Sequence, residues 1–150
     1  MNTFLFENEE EKKYALACLA FSKSLNLIDD DSLEGVKKRC DAENEKRKAQ
    51  LENGETVYGL THFSYPAFLN FELTRLNLDF VGESEKVKKV YNFTEITRKQ
   101  MKAYYKENKD LFTRYNNDRF FFFEVKTVIY KKIREAQYDE EINNILCKLA

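Results

Sequence analysis

One imidazole, three thiols and a short acidic run are the groups of this chain whose chemistry could reach beyond packing. His62 is the sole histidine in 150 residues, between Thr61 and Phe63. An acid-base or metal-binding imidazole needs a positioned partner. No second His exists and no Cys is close in sequence, so His62 reads as a loop or cap residue ahead of a helix. Cys18, Cys40 and Cys147 stand singly inside helical patterns. An odd number without C-x-x-C spacing reads as three small buried hydrophobes rather than a disulfide frame or zinc site. Asp29-Asp30-Asp31 could hold a divalent ion loosely but reads as a helix entry. Phosphate-cradling glycine loops, the G-x-S-x-G elbow and H-E-x-x-H are all missing from the sequence. No catalytic residue, metal or cofactor is therefore expected.

The elements that would position any site are helical. Four Gly and one Pro leave few turn residues, whereas 13 Phe and 9 Tyr supply packing bulk. That balance argues for long helices with short connections. Phe120 to Leu149 carries the longest unbroken periodicity, with apolar residues at Phe122, Val125, Val128, Ile129, Ile133, Ala136, Ile142, Ile145, Leu146 and Leu149. A helix of that span is about 40 Å long, the spine of an all-α bundle in one domain over 1–150, with the N- and C-terminal helices packed together.

Residues 8–25 form a first amphipathic helix with an acidic first turn, and Asp31 with Glu34 marks the entry to a second, 32–51. The second helix is apolar mainly in its first half. Its charged second half is expected to protrude, as a solvated helix or as an arm toward a partner. Asn53-Gly54 ends it, and residues 55–60 read as an extended connector or one strand of a short ribbon. Ser64 caps a third helix with Pro66 in its first turn and Phe63 stapled to Phe68. That helix is apolar over so wide an arc that it must be central or partly open to a ligand. Gly82-Glu83-Ser84 breaks it. Thr97-x-x-Gln100, flanked by Ile96 and Met101, is a capping box with its hydrophobic staple. A helix from Arg98 to about Lys109 follows, then a turn at Tyr115 to Asp118.

Net charge is −1 with 34% charged residues, which gives no reason to expect a nucleic acid partner. Residues 1–55 hold 9 Lys+Arg against 13 Asp+Glu, and residues 96–150 hold 12 against 8. The ends could attract one another, two copies could pair head to tail, or the surface could be merely solvated. No apolar run approaches a membrane span and no signal peptide is visible, so the chain as written reads as cytoplasmic, or extracytoplasmic if a leader has been removed.

The string from Ile96 to Phe112 resembles the helix that precedes the parvulin domain in SurA-like and PrsA-like peptidyl-prolyl isomerase chaperones. Phe123-Glu124-Val125-Lys126 with Ile133, Tyr138 and Ile142 is similar to the helix that follows it, and residues 32–60 add to the likeness. The resemblance implies a SurA N-terminal or trigger-factor peptide-binding fold. Between Phe112 and Phe120, however, lies only a turn where those enzymes carry their catalytic domain. What it implies is a non-catalytic chaperone for unfolded or extended polypeptide, whose peptide-binding residues would be Phe68, Phe71, Tyr104, Tyr105 and Phe112. A residual prolyl isomerase and a helical interaction or homodimerisation module are the alternatives.

Overall fold

A computed structural model describes Phe4 and residues 6–149. Among the described residues six helices follow one another: α1 (Glu9–Ser24), α2 (Leu33–Glu52), α3 (Tyr65–Val81), the single-turn α4 (Glu85–Lys88), α5 (Arg98–Glu107) and α6 (Phe122–Leu149), with a 3-10 turn at Lys109–Phe112. The fold is all-α, with the long C-terminal helix packed against α1, α3 and α5. Among the described residues the β-structure is one antiparallel bridge, Thr113 to Arg119, closing the turn before α6.

Helix starts follow local chemistry. Asn8 accepts the Glu11 N–H, Ser64 accepts that of Ala67, and Thr97 and Gln100 close a reciprocal capping box, satisfying amides that a helix leaves unpaired. The entry to α2 differs from the Asp31 expectation. Ser32 is the cap, accepting from Gly35 N, while Asp30 Oδ1 accepts from both the N–H and hydroxyl of Ser32. Asp30 also explains Gly35, where a Cβ would lie 2.6 Å from the Asp30 Cγ. Asp29-Asp30-Asp31 thus supplies a helix entry through Asp30.

The charged half of α2 is not a bare arm. Arg47 donates to the carbonyls of Tyr58 and Leu60, and Asn44 exchanges hydrogen bonds with the backbone of Phe63 at 2.7 and 3.0 Å. Those bonds hold the 53–62 loop, an extended connector with Gly59 at φ +81°, against the helix. Residues 53–62 form no strand, and Arg47 occupies the Tyr58 and Leu60 carbonyls.

The core divides into three clusters. Leu19, Val36, Cys40, Phe63, Phe68, Leu69 and Leu76 join α1, α2 and α3. Ala17, Phe21, Phe80, Val87, Tyr138 and Ile142 join α1, α3, α4 and α6. Ile96, Met101, Phe112, Val125 and Ile129 fasten α5 to α6. The wide apolar arc of α3 is accounted for because α2 covers one side of it and α6 another. On α6 the stripe departs from its expected course. Val128 and Leu149 are exposed, whereas Arg134 and Tyr138 are buried.

Candidate functional site

A concavity of about 590 Å³ lies where the turn after α3 meets α5 and α6. Val81, Gly82, Glu83, Met101, Lys126, Thr127, Tyr130 and Lys131 line it. Its carboxylate is Glu83, held at a left-handed φ of +52°. Glu83 Oε1 accepts the Tyr130 hydroxyl and Arg134 Nε, each at 2.6 Å. Arg134 spends its other donors on Thr94 O at 2.8 Å and Gln137 Oε1 at 2.6 Å, and its guanidinium lies 4.7 Å from the Phe93 ring centroid. Burial by itself would push the Glu83 carboxyl up. The hydrogen bonds from Tyr130 and Arg134, with the Arg134 charge, outweigh it and leave Glu83 below the usual carboxylate range. A carboxyl so placed stays ionised at neutral pH and is poorly suited to give up a proton as a general acid.

A second charged pair is wholly structural in its surroundings. Glu72 is fully buried on α3 and accepts two parallel bonds from Arg39 of α2, at 2.7 and 2.8 Å, while Arg39 Nη1 reaches Asp30 O at 2.8 Å. This fork ties the second and third helices together.

The connection from α5 into α6 exposes several large apolar side chains among charged ones. Phe121 and Phe123 stack at 5.7 Å with an interplanar angle of 6° while 64% and 77% exposed. Leu111 and Tyr115, from the same connection, are also exposed. Lys109, Arg114 and Arg119 belong to that segment and are exposed with them.

The five residues expected to bind peptide fall into two different core clusters. Phe68 is buried and Phe71 half-buried among Phe63 and the α1–α3 side chains. Phe112 is buried and Tyr104 and Tyr105 half-buried between α5 and α6, where the Tyr105 hydroxyl donates to Phe120 O. His62 is exposed beside Asn44, Glu45 and Lys48. Cys18 and Cys40 are buried, but Cys147 is exposed, contrary to the reading of all three as core. Among the described residues no three His, Cys, Asp or Glu side chains form a metal-binding group, and no helix is long and apolar enough to cross a membrane.

Glu83 and Arg134 escaped the sequence reading because one sits in a turn and the other is a cation on a helix. A signal did exist. Arg134 is four residues from both the half-buried Tyr130 and the buried Tyr138, on one face of the helix.

No protein-family model and no curated protein matches the sequence. Two crystal structures of GH136 lacto-N-biosidase from Eubacterium ramulus, the native protein and its selenomethionine derivative, share the fold, with TM-scores of 0.74 and 0.75 at 20% identity. The match covers 91% of this chain and 28% of that chain, so this chain spans little more than a quarter of the length it resembles. This finding corrects the expected kinship. The chain folds like part of a glycoside hydrolase, not like a SurA-like or PrsA-like chaperone, and the chaperone and residual-isomerase readings fall with that resemblance. Amphipathic helices of similar length and charge recur in unrelated folds, and the strings that suggested the family carried little beyond that periodicity.

Proposed function

We propose that this chain is a helical domain of glycoside-hydrolase type, which packs against the part of such an enzyme that performs the chemistry. The observation that supports the reading is the shared fold over nearly the whole of this chain and a minor part of the lacto-N-biosidase chain. The greater part of that chain has no counterpart here. Glycoside cleavage by the usual route takes two carboxyl groups, one of them with a raised pKa so that it can protonate the leaving oxygen. Glu83, the carboxylate of the groove between the turn after α3, α5 and α6, is displaced the other way and is occupied by Arg134 and Tyr130. Its role is to hold α6 to the turn after α3.

The Phe121–Phe123 stack supplies the docking feature. Two adjacent exposed phenyl rings with Leu111 and Tyr115 nearby make the kind of apolar patch that marks an interaction surface, and aromatic anchors dominate the energetics of such surfaces. The partner is the catalytic part of a glycoside hydrolase, whether continuous with this chain or separately encoded.

The test is immunoprecipitation with antibody to this chain from its source cells, identification of what accompanies it, and assay of the isolated material on an aryl lacto-N-bioside. A glycoside hydrolase polypeptide is expected to accompany the chain and to carry the activity, and a double Phe121→Ser, Phe123→Ser variant that still folds is expected to lose it. Hydrolysis by the isolated 150 residues, or material devoid of any glycoside hydrolase, would overturn the reading.

A further inference from the structure

One face of α6 joins the exposed phenyl pair to the groove below the turn after α3. Phe123, Lys126, Thr127, Tyr130 and Lys131 stand at i, i+3, i+4, i+7 and i+8, so they form a single stripe along the helix. Phe123 belongs to the stacked pair, and the other four line the concavity of about 590 Å³. From Phe123 to Lys131 the helix rises about 12 Å. The phenyl patch and the groove are therefore neighbours on one surface.

The groove combines apolar side chains with a cationic rim. Val81 and Met101 are buried in it and Tyr130 is half-buried, while Lys126, Thr127 and Lys131 are exposed. Its carboxylate, Glu83, is paired with Arg134 rather than with either lysine. Among the described residues neither Lys126 nor Lys131 makes an ion pair. The same imbalance runs through the whole segment. Residues 98–132 hold 10 Lys+Arg against 4 Asp+Glu, namely Glu107, Asp110, Asp118 and Glu124. Of those ten cations only Lys132 is ion-paired among the described residues, with Glu135 at 3.6 Å. Cations also crowd the rings, with Arg114 at 4.2 Å from the Phe120 centroid and Lys102 at 5.9 Å from that of Phe122. Like charges gathered without counter-charge repel one another and draw an acidic surface toward them.

We propose that the groove and its lysines belong to the same interface as the Phe121–Phe123 stack, and that the protein partner meets them with an apolar side chain in the groove and carboxylates against Lys126 and Lys131. The proposal rests on the docking role given above to that stack. A protein face suits this surface better than an anionic membrane does. A concavity takes a projecting side chain to fill it, and the exposed Asp118 and Glu124 among the cations would meet lipid phosphates with like charge.

The experiment is carbodiimide cross-linking, which joins lysine amines to carboxylates in direct contact, applied to the material recovered with the chain from its source cells and read by peptide mass spectrometry. Cross-links from Lys126 and Lys131 to Asp or Glu of the glycoside hydrolase part are expected, whether that part is separate or continuous with the chain. In titrations against a separate polypeptide, Lys126→Glu with Lys131→Glu should weaken association about tenfold or more at physiological salt, because like charges then face each other. That difference should shrink in about 0.5 M salt. Thr127→Trp, which fills the groove, should weaken association at either salt. All three positions are exposed, so these variants should melt with the wild type. Lys126→Gln with Lys131→Gln supplies the same sign of effect should the charge reversal impair folding. A glycoside hydrolase that accompanies the chain, yet shows no such cross-links and binds the variants like wild type, would overturn this inference and leave the docking reading standing. Absence of any glycoside hydrolase would overturn both. Sedimentation of the wild type, but not of the charge-reversed variant, with phosphatidylserine vesicles would overturn it by assigning the surface to a membrane.

Discussion

Arg134 Nε meets Glu83 Oε1 at 2.6 Å across 51 residues of sequence, which binds the middle of α6 to the turn that ends α3. The Arg134 side chain is only 2% exposed, so the carboxylate is what makes its burial tolerable. Removing one partner of such a pair strands a buried charge.

Glu83→Ala is therefore expected to cost about 3 kcal/mol, the lower end for a broken buried pair because Thr94 and Gln137 still receive Arg134. For a domain of this size that lowers the melting temperature by roughly 6–12 °C. A scan showing less than about 2 °C would mean that the pair holds nothing.

The same carboxyl sets a pH dependence. Its folded pKa lies below the unfolded value, so its contribution is complete above the ordinary Glu pKa of about 4.3 and is lost as pH falls through the folded value. From about pH 5 downward, wild type should lose stability more steeply than Glu83→Gln, which has no carboxyl to protonate there. Denaturant melts at a series of pH values would show parallel curves if Glu83 were not responsible.

Arg39 and Glu72 make a sharper test of what a buried ion pair is for. Arg39→Ala should cost about 3 kcal/mol by leaving Glu72 buried and unpaired, whereas Arg39→Met with Glu72→Leu should lie within about 1 kcal/mol of wild type or above it. Equal losses in the single and double variants would refute this account.

The thiols should separate by reactivity. Burial pushes Cys18 and Cys40 above the ordinary thiol range, and both are enclosed in the core, whereas Cys147 is exposed near the end of α6. At neutral pH a maleimide should label one thiol in the folded protein and none in Cys147→Ser, with all three reacting in denaturant. Mass spectrometry showing two rapid adducts in the native state would contradict it.

Thr97→Ala should remove about 1 kcal/mol, since it deletes one arm of the capping box at the start of α5. The melting temperature would fall by about 2–4 °C. An unchanged melt would show that α5 is held by Met101 and its neighbours alone.

What the sequence determined by itself was whatever a few neighbouring residues can enforce. Thr97 with Gln100, Ser64 with Pro66 and the unbroken periodicity after Phe120 each act within one or two helical turns, so the all-α class, the long last helix and several starts were legible. Tertiary structure decided the rest, because it depends on pairings that leave no local trace. Glu72 finds Arg39 across 33 residues, Glu83 finds Arg134 across 51, and Arg47 collects carbonyls of a loop that looked strand-like. A charged residue reads as solvated until its partner is in place, which is why Arg134 was invisible in the core and the second half of α2 looked free. The fold likeness left no local trace for the same reason. Helical periodicity says that one face is buried and not against what, and only the packing of α6 against α1, α3 and α5 gives the fold that resembles part of the lacto-N-biosidase structure.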